Sequence, residues 1–261
     1  MSVFQLYQRA VPLNRFAHQE LRIKEDGDYG FARKCQAAIL AATELSAAIK
    51  EFPVVFASDK EKYFPVALLG IEQNQNLFVD AENHWTARYI PAFIRRYPFI
   101  LAQDGEKDGP LTVWIDEAAE CFNRQAGEPL FLGEKNSALL NNKLQFLEDF
   151  HAQLDATAAQ VKQLVDAGLI SEKTAHFSLP GGRVFSLDGF LTIDTAKLPQ
   201  LSQEAVFSLY QTGALSLAFL HLSSLDNLDH LLAQHAKSLA SEDERIGNPA
   251  KNDARPQQTA S

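Results

Sequence analysis

Residues 52–101 read FPVVFASDKEKYFPVALLGIEQNQNLFVDAENHWTARYIPAFIRRYPFIL. This span holds ten of the 26 aromatic residues and four of the 11 prolines, so its reading decides most of the fold. Val54-Val55-Phe56 is β-branched and aromatic, which suits a pleated, half-buried strand. A polar break, Ser58 to Lys62, separates it from the apolar run Phe64 to Leu69, and the pair reads as a β-hairpin. Pro65 cannot donate to a ladder, so it belongs at a strand start or on an edge. Gly70 and Asn74-Gln75-Asn76 mark a turn, and Leu77-Phe78-Val79 then reads as a third strand of a small antiparallel meander.

After Asp80 the pattern changes. The spacing of Trp85, Arg88, Tyr89 and Phe93 stacks aromatic and guanidinium groups along one side of a helical turn. Pro91 suits the first turn of a short helix, where its missing N–H costs nothing. Pro98 stops that helix near Arg96 or Tyr97. Aromatic residues are mainly core material, so a satellite core with solvated or ion-paired arginines is the first reading. Trp, Tyr and Arg are also the over-represented anchors of binding surfaces. Trp85, Arg88, Tyr89, Arg95 and Arg96 are therefore the candidate ligand- or partner-binding residues. Their local positive charge suits a carboxylate-bearing or otherwise anionic partner. The structural alternative locks Arg95 or Arg96 to a buried acid such as Asp80 or Asp116.

The runs FPVVF, FPVALLGI, NLFVDA and W-x-A-R-Y-I-P-A-F-I-R-R-Y-P-F resemble the SapC family, bacterial proteins named for surface-layer protein transport. The likeness includes Pro12-Leu13-Asn14 with His18 and Leu21, Glu44 ahead of Phe52-Pro53, Trp114 to Glu117 and Pro129-Leu130-Phe131. It continues through Leu187 to Phe190, Gly213-Ala214-Leu215 and His221 to Leu225, covering roughly Leu6 to Leu232. One departure lies upstream of Glu44, where relatives carry a His and a Pro-Leu pair; here stand Cys35, Gln36 and Ile39-Leu40. The resemblance supplies no catalytic residues to carry over. It implies an accessory role, in surface-layer or outer-membrane transport or beside an oxygenase- or halogenase-type enzyme.

Composition narrows the classes. Hydrophobic residues make up 46% and charged residues 22%, ordinary for a globular protein able to bury a core without staples. A net charge of −9 argues against a nucleic-acid partner, whose affinity comes largely from Lys and Arg on phosphates. It argues equally against a polybasic membrane anchor. Cys35 and Cys121 give neither a disulfide framework nor a metal spacing, which points to a reduced compartment. The N-terminus lacks the charged start and apolar run of a signal peptide, and no run approaches a bilayer span. The expectation is a cytoplasmic protein with no membrane insertion.

The flanks add the frame. Phe4 to Ile23 reads as an extended lead-in, in which His18 is the most function-like residue and a hydrogen-bonded structural histidine the simpler account. Phe31 to Phe52 has a helical apolar period, consistent with one helix or a strand followed by a helix. Glu44 within it reads as part of a solvated helix face. Leu111 to Ile115 reads as a strand ending at Asp116-Glu117, where one carboxylate is an N-cap. Ser137 to Ala167 is the longest helix, with a regular apolar line from Leu140 to Val165 and Gly168 as its stop. It either packs across the sheet or offers a route to a homo-oligomer.

Beyond it, Ser171 starts a short helical turn, and 179–183 is a tight turn without the Lys-Ser/Thr of a phosphate loop. Val184 to Leu187 and Phe190 to Ile193 read as a hairpin around Asp188-Gly189. Ser202 caps a helix closed by Gly213. Ala214 to Leu225 reads as buried on most sides, with His221 a satisfied core histidine. The last helix runs Leu228 to Leu239. His230 and His235 do not share a face, which argues against a metal pair.

The sequence thus predicts an α+β protein, with a single globular domain over 1–240 and a polar, disordered tail over 241–261. No Rossmann, Walker, HExxH, GxSxG or CxxC pattern occurs, and neither a cofactor nor a metal is expected. The leading function is a non-catalytic accessory or binding protein for a protein or small anionic ligand. The alternative is an enzyme acting on a small anionic substrate or peptide, assembled from His18, Glu44, Arg95 and Asp116. It requires those groups to converge in one pocket.

Overall fold

A computed structural model describes residues 6–24, 27–59, 62–103, 109–178 and 184–247. The main sheet combines β3 (Ala37–Ile39), β4 (Val54–Asp59), β5 (Lys62–Leu68), β12 (Ile170–Ser178) and β13 (Val184–Ile193). Its order is β12-β13-β4-β5-β3, antiparallel throughout. A second sheet joins β1 (Ala10–Pro12), β6 (Phe99–Gln103) and β7 (Leu111–Asp116) in the order β1-β7-β6. Smaller ladders join β2 (Arg22–Ile23) to β8 (Phe122–Asn123) and β9 (Glu128–Pro129), and β10 (Phe131–Leu132) to β11 (Lys135–Asn136). Short helices α1 (Arg15–His18), α2 (Leu45–Ala48) and α3 (Ala92–Arg95) sit in the connections. The long helices are α4 (Ala138–Asp166), α5 (Gln203–Gln211), α6 (Ala214–Ser224) and α7 (Asn227–Gly247). The α+β class holds.

Two hydrophobic clusters form. The larger lies under the five-stranded sheet, around Phe52, Phe56, Phe93 and Ile94. The smaller gathers Phe99, Ile115, Leu130 and Ile23. Helix α4 joins them: Leu140 and Leu147 enter the smaller cluster, while Phe150, Val161 and Leu164 enter the larger. It packs across strands of both main sheets, β5 and β6. Each buried leucine or phenylalanine along it contributes roughly 1.5–3 kcal/mol relative to exposure. Ser137 caps the helix by accepting the Leu140 N–H at 3.1 Å. Gly168 follows its end at φ +69°, the left-handed conformation that glycine adopts without penalty.

The β4–β5 hairpin forms with Val55 opposite Val66 and Phe56 opposite Pro65. Its start is bolted to α6. His221 Nδ1 lies 2.7 Å from the Val54 carbonyl, and Ser224 Oγ accepts the Val54 N–H at 2.9 Å. His221 Nε2 accepts the Ile193 N–H at 3.3 Å, so both ring nitrogens are used and Nδ1 carries the proton. Burial pushes the His221 pKa down to about 4. An unfolded histidine titrates near 6.5, so below that pH the unfolded chain binds the extra proton. Stability from this group is complete above pH 6.5 and falls as the pH drops toward 4. Up to about 3 kcal/mol is at stake. His221→Gln should lower stability at pH 7, through the weakened Val54 and Ile193 bonds, yet flatten the acid limb. Urea midpoints at pH 7 and pH 5 measure both, and an unchanged acid slope would remove His221 from the account.

Several expectations are corrected. Leu77 to Val79 is not a strand; a single bridge joins Val79 to Trp85, and the Asn76 side chain accepts the Phe78 N–H instead. Trp85 to Tyr89 is not helical, since α3 covers only Ala92–Arg95, with Pro91 as its extended N-cap. Phe31 to Phe52 divides into a 3-10 turn, β3, a second 3-10 turn and α2. Ser171 lies within β12, not in a helical turn. Val184 to Ile193 is one strand running through Asp188-Gly189 and paired with β12 on both sides of it; the tight turn expected at 179–183 lies outside the described residues. Helix α6 is not buried all round: Phe219 is 53% exposed. The last helix continues to Gly247, and residues 248–261 lie outside the described ones.

Candidate functional site

Two buried carboxylates fix the segment from Trp85 to Phe99. Glu44, expected on a solvated helix face, is buried. Its Oε1 accepts the Tyr89 hydroxyl at 2.7 Å and the Ala92 N–H at 2.9 Å, and its Oε2 accepts the Ala41 N–H at 3.0 Å. Asp116 is fully buried. It accepts the Gln8 and Arg9 N–H groups at 2.9 Å, the Ala118 N–H at 3.1 Å and the Tyr97 hydroxyl at 3.0 Å. The Ala118 bond closes a local turn and not the helix cap the sequence suggested, since the element that follows β7 is β8 and not a helix; the bonds to Gln8 and Arg9 are long-range. Glu44 therefore ties one end of the segment to the larger cluster, and Asp116 ties the other to the smaller.

Burial, then the neighbouring carboxylate, raises the pKa of both tyrosines above the usual phenol range. They act as permanent hydroxyl donors. The ring of Tyr97 stacks on Phe31, centroids 3.9 Å apart. Trp85 donates its indole N–H to the Tyr89 carbonyl at 2.9 Å, and its ring packs near Phe52 and Phe78.

The arginines divide sharply. Arg96 is buried, with its guanidinium 4.2 Å from the centroid of the Phe93 ring and beside Tyr7 and Cys35. Burial lowers its pKa, offset by the Tyr7 and Cys35 groups. The acids weighed as its partners take backbone and hydroxyl donors: Asp80 accepts the Glu82 and His84 N–H groups at 3.0 and 2.8 Å, and Asp116 those given above. Arg95 is exposed. Its Nε donates to the Ile90 carbonyl at 2.9 Å, and its guanidinium lies 5.2 Å from the Phe146 centroid and 6.0 Å from that of Tyr89. Arg88 is exposed as well.

Arg95 lines a cleft of about 1010 Å³ between the two clusters. Its walls come from the loop after β2, from the α3 region and from the first turns of α4. Tyr29, Phe31, Tyr97 and Phe146 supply aromatic surface; Lys24, Arg33, Arg95 and Lys143 supply positive charge. Among the described residues the lining carboxylates are Asp28, Glu120 and Glu128, one fewer than the cations. Arg33 is committed to the wall itself, donating to the Asp80 and Ala81 carbonyls and to Asn83 Oδ1. Asn83 in turn donates to Asp28 at 3.0 Å. Cys121 also lines the cleft, whereas burial pushes the Cys35 thiol up to about 12 and leaves it inert.

Of the five candidate binding residues, only Arg95 lines this cleft. Trp85 and Tyr89 pack on the larger cluster with their polar tips committed internally, Arg96 lies beneath, and Arg88 faces solvent elsewhere. The quartet of the enzyme reading does not converge either. His18 is buried, accepts the Asn14 N–H at 3.0 Å and lies 3.6 Å from Glu117, the hydrogen-bonded structural role first weighed for it. His18, Glu44 and Asp116 are all absent from the cleft lining. Sequence reasoning missed Lys24, Tyr29, Phe31, Lys143 and Phe146. One signal was available: Lys143 and Phe146 sit off the main apolar line of α4, three residues apart on a shared face.

Fold and cleft together define an α+β protein whose two cores, bridged by one long helix and one tyrosine-clamped segment, flank a ligand-sized cavity lined by aromatic and charged side chains. No cluster of metal-binding side chains occurs among the described residues. The chain belongs to the SapC family, whose model matches residues 13–231. No curated protein and no solved structure matched it.

Proposed function

We propose that this chain is a non-catalytic accessory protein that holds an anionic group, on a small ligand or on a protein partner, in the cleft beside Arg95. The single observation carrying this reading is the placement of Arg95. It is the exposed arginine of the segment that reaches the cleft, held over aromatic rings at the edge of a cavity of about 1010 Å³. Guanidinium groups bind carboxylates two bonds at a time, and stacking on Tyr89 and Phe146 orients the fork. Pockets of roughly 300–1,000 Å³, apolar with a few placed polar groups, are typical of ligand sites. The buried carboxylates support binding over catalysis, because their acceptor capacity is spent on backbone and tyrosine donors. A cytoplasmic setting, in service of surface-layer or outer-membrane transport or of a neighbouring oxygenase- or halogenase-type enzyme, is part of the proposal.

Affinity capture from the native cell, followed by intact-mass analysis under non-denaturing conditions, tests it. The wild-type chain should retain an anionic ligand or partner that Arg95→Ala loses. Full retention by Arg95→Ala would end this reading.

A further inference from the structure

We propose that the outer face of α5 and α6 is a self-association surface, covered by the same face of a second copy of the chain. Large apolar side chains are exposed here in a way they are not elsewhere on these helices: Phe207 is 60% exposed, Tyr210 69% and Phe219 53%. Val206, Phe207 and Tyr210 of α5 line a shallow groove of about 350 Å³ with Leu201, Gln203 and Leu215. Phe219 stands four residues beyond Leu215, on the same side of α6. The face thus carries a projecting aromatic ring beside an apolar groove. A two-fold contact needs this self-complementarity, because a residue of each copy must fit the site that its own copy offers.

Charge selects the occupant. From Ala205 to Leu225 the chain contains no Asp, Glu, Lys or Arg, and buried His221 is neutral at pH 7. Two copies of a chain with net charge −9 repel, so the contact must fall where no like charges meet on the axis. The outward face of α4 fails that condition, since Glu148, Asp149, Asp155 and Asp166 are exposed along it. Residues 248–261, NPAKNDARPQQTAS, are too polar to fill the groove. A bilayer would want cations at the rim, and α5 and α6 carry none. The pair is also bent by 85°, and among the described residues no single helix is long and apolar enough to cross a membrane. None of the groove residues lines the cleft beside Arg95, so the proposal stands or falls apart from the proposed function.

Sedimentation velocity on the full chain from about 1 to 100 µM tests it, since association must follow mass action. The wild-type chain should move from monomer to dimer across that range. Phe207→Glu and, separately, the milder Phe219→Ser should remain monomeric at the top concentration with unchanged circular dichroism. A wild-type chain that stays monomeric throughout would overturn the proposal. So would a dimer that survives both substitutions, as contact through α4 predicts, or a monomer that instead co-sediments with phosphatidylcholine vesicles.

Discussion

Asp116→Ala is expected to cost about 3–5 kcal/mol of folding free energy and to lower Tm by roughly 10 °C. The carboxylate is fully buried and receives four donors: the N–H groups of Gln8, Arg9 and Ala118 and the hydroxyl of Tyr97. Truncation leaves those donors without their acceptor at the seam between the N-terminal strand, the β6–β7 pair and the Trp85–Phe99 segment. A buried orphan donor costs about 1–3 kcal/mol, and partial entry of water keeps the total below the sum. Asp116→Asn is the informative partner variant. One oxygen can still accept, while the amide nitrogen must face an N–H, so its loss should be smaller but not zero. Chemical denaturation of the three proteins measures this. A loss under about 1 kcal/mol for Asp116→Ala would show that the clamp is not what holds the seam.

Gly127→Ala should be nearly as damaging by a different route. Gly127 lies at φ +93°, and a Cβ there would stand 2.3 Å from the Ile23 carbonyl oxygen. Conformational strain and a collision with backbone act together, and the backbone cannot rotate away as a side chain could. The carbonyl of Gly127 also accepts a bond from Arg22 at 2.8 Å. Relief of the clash must therefore separate β2 from β9, which together bring Ile23, Lys24 and Glu128 to the cleft. The expected cost is about 3 kcal/mol or more. Hydrogen exchange should show the loss concentrated in 22–24 and 128–130, with the five-stranded sheet unaffected. Uniform loss across the chain, or none, would contradict the local account.

Much of the fold was legible because its signals are local. Ser137, the apolar line of α4 and Gly168 bracket a helix whose ends need no tertiary information. The same holds for the β4–β5 hairpin and for the Ser202 cap. The failures share a cause. Leu77-Phe78-Val79 has strand composition, but Asn76 takes the Phe78 N–H, Leu69 takes the Leu77 N–H, and a single bridge to Trp85 is all the ladder that remains. Asp188-Gly189 has turn chemistry, yet it makes only a register shift against β12, and pairing on either side carries the strand through. At the site, Glu44 and Arg96 were misplaced because burial of a charged group depends on partners 48 and 89 positions away, Ala92 and Tyr7. No window along the chain contains them. The SapC resemblance, confirmed over residues 13–231, brought this segment forward without saying which of its arginines reaches the cleft.

The central claim is that the Trp85–Phe99 segment is a structural clamp with one functional outlet, Arg95. Comparing the unfolding free energies of Arg95→Ala and Arg96→Ala at pH 7 tests it most directly. Arg96→Ala should lose about 2–4 kcal/mol, because it empties a buried site over the Phe93 ring. Arg95→Ala should lose less than about 1 kcal/mol, the worth of an exposed cation stacked on aromatic rings. Equal losses, or a larger loss for Arg95→Ala, would contradict the account.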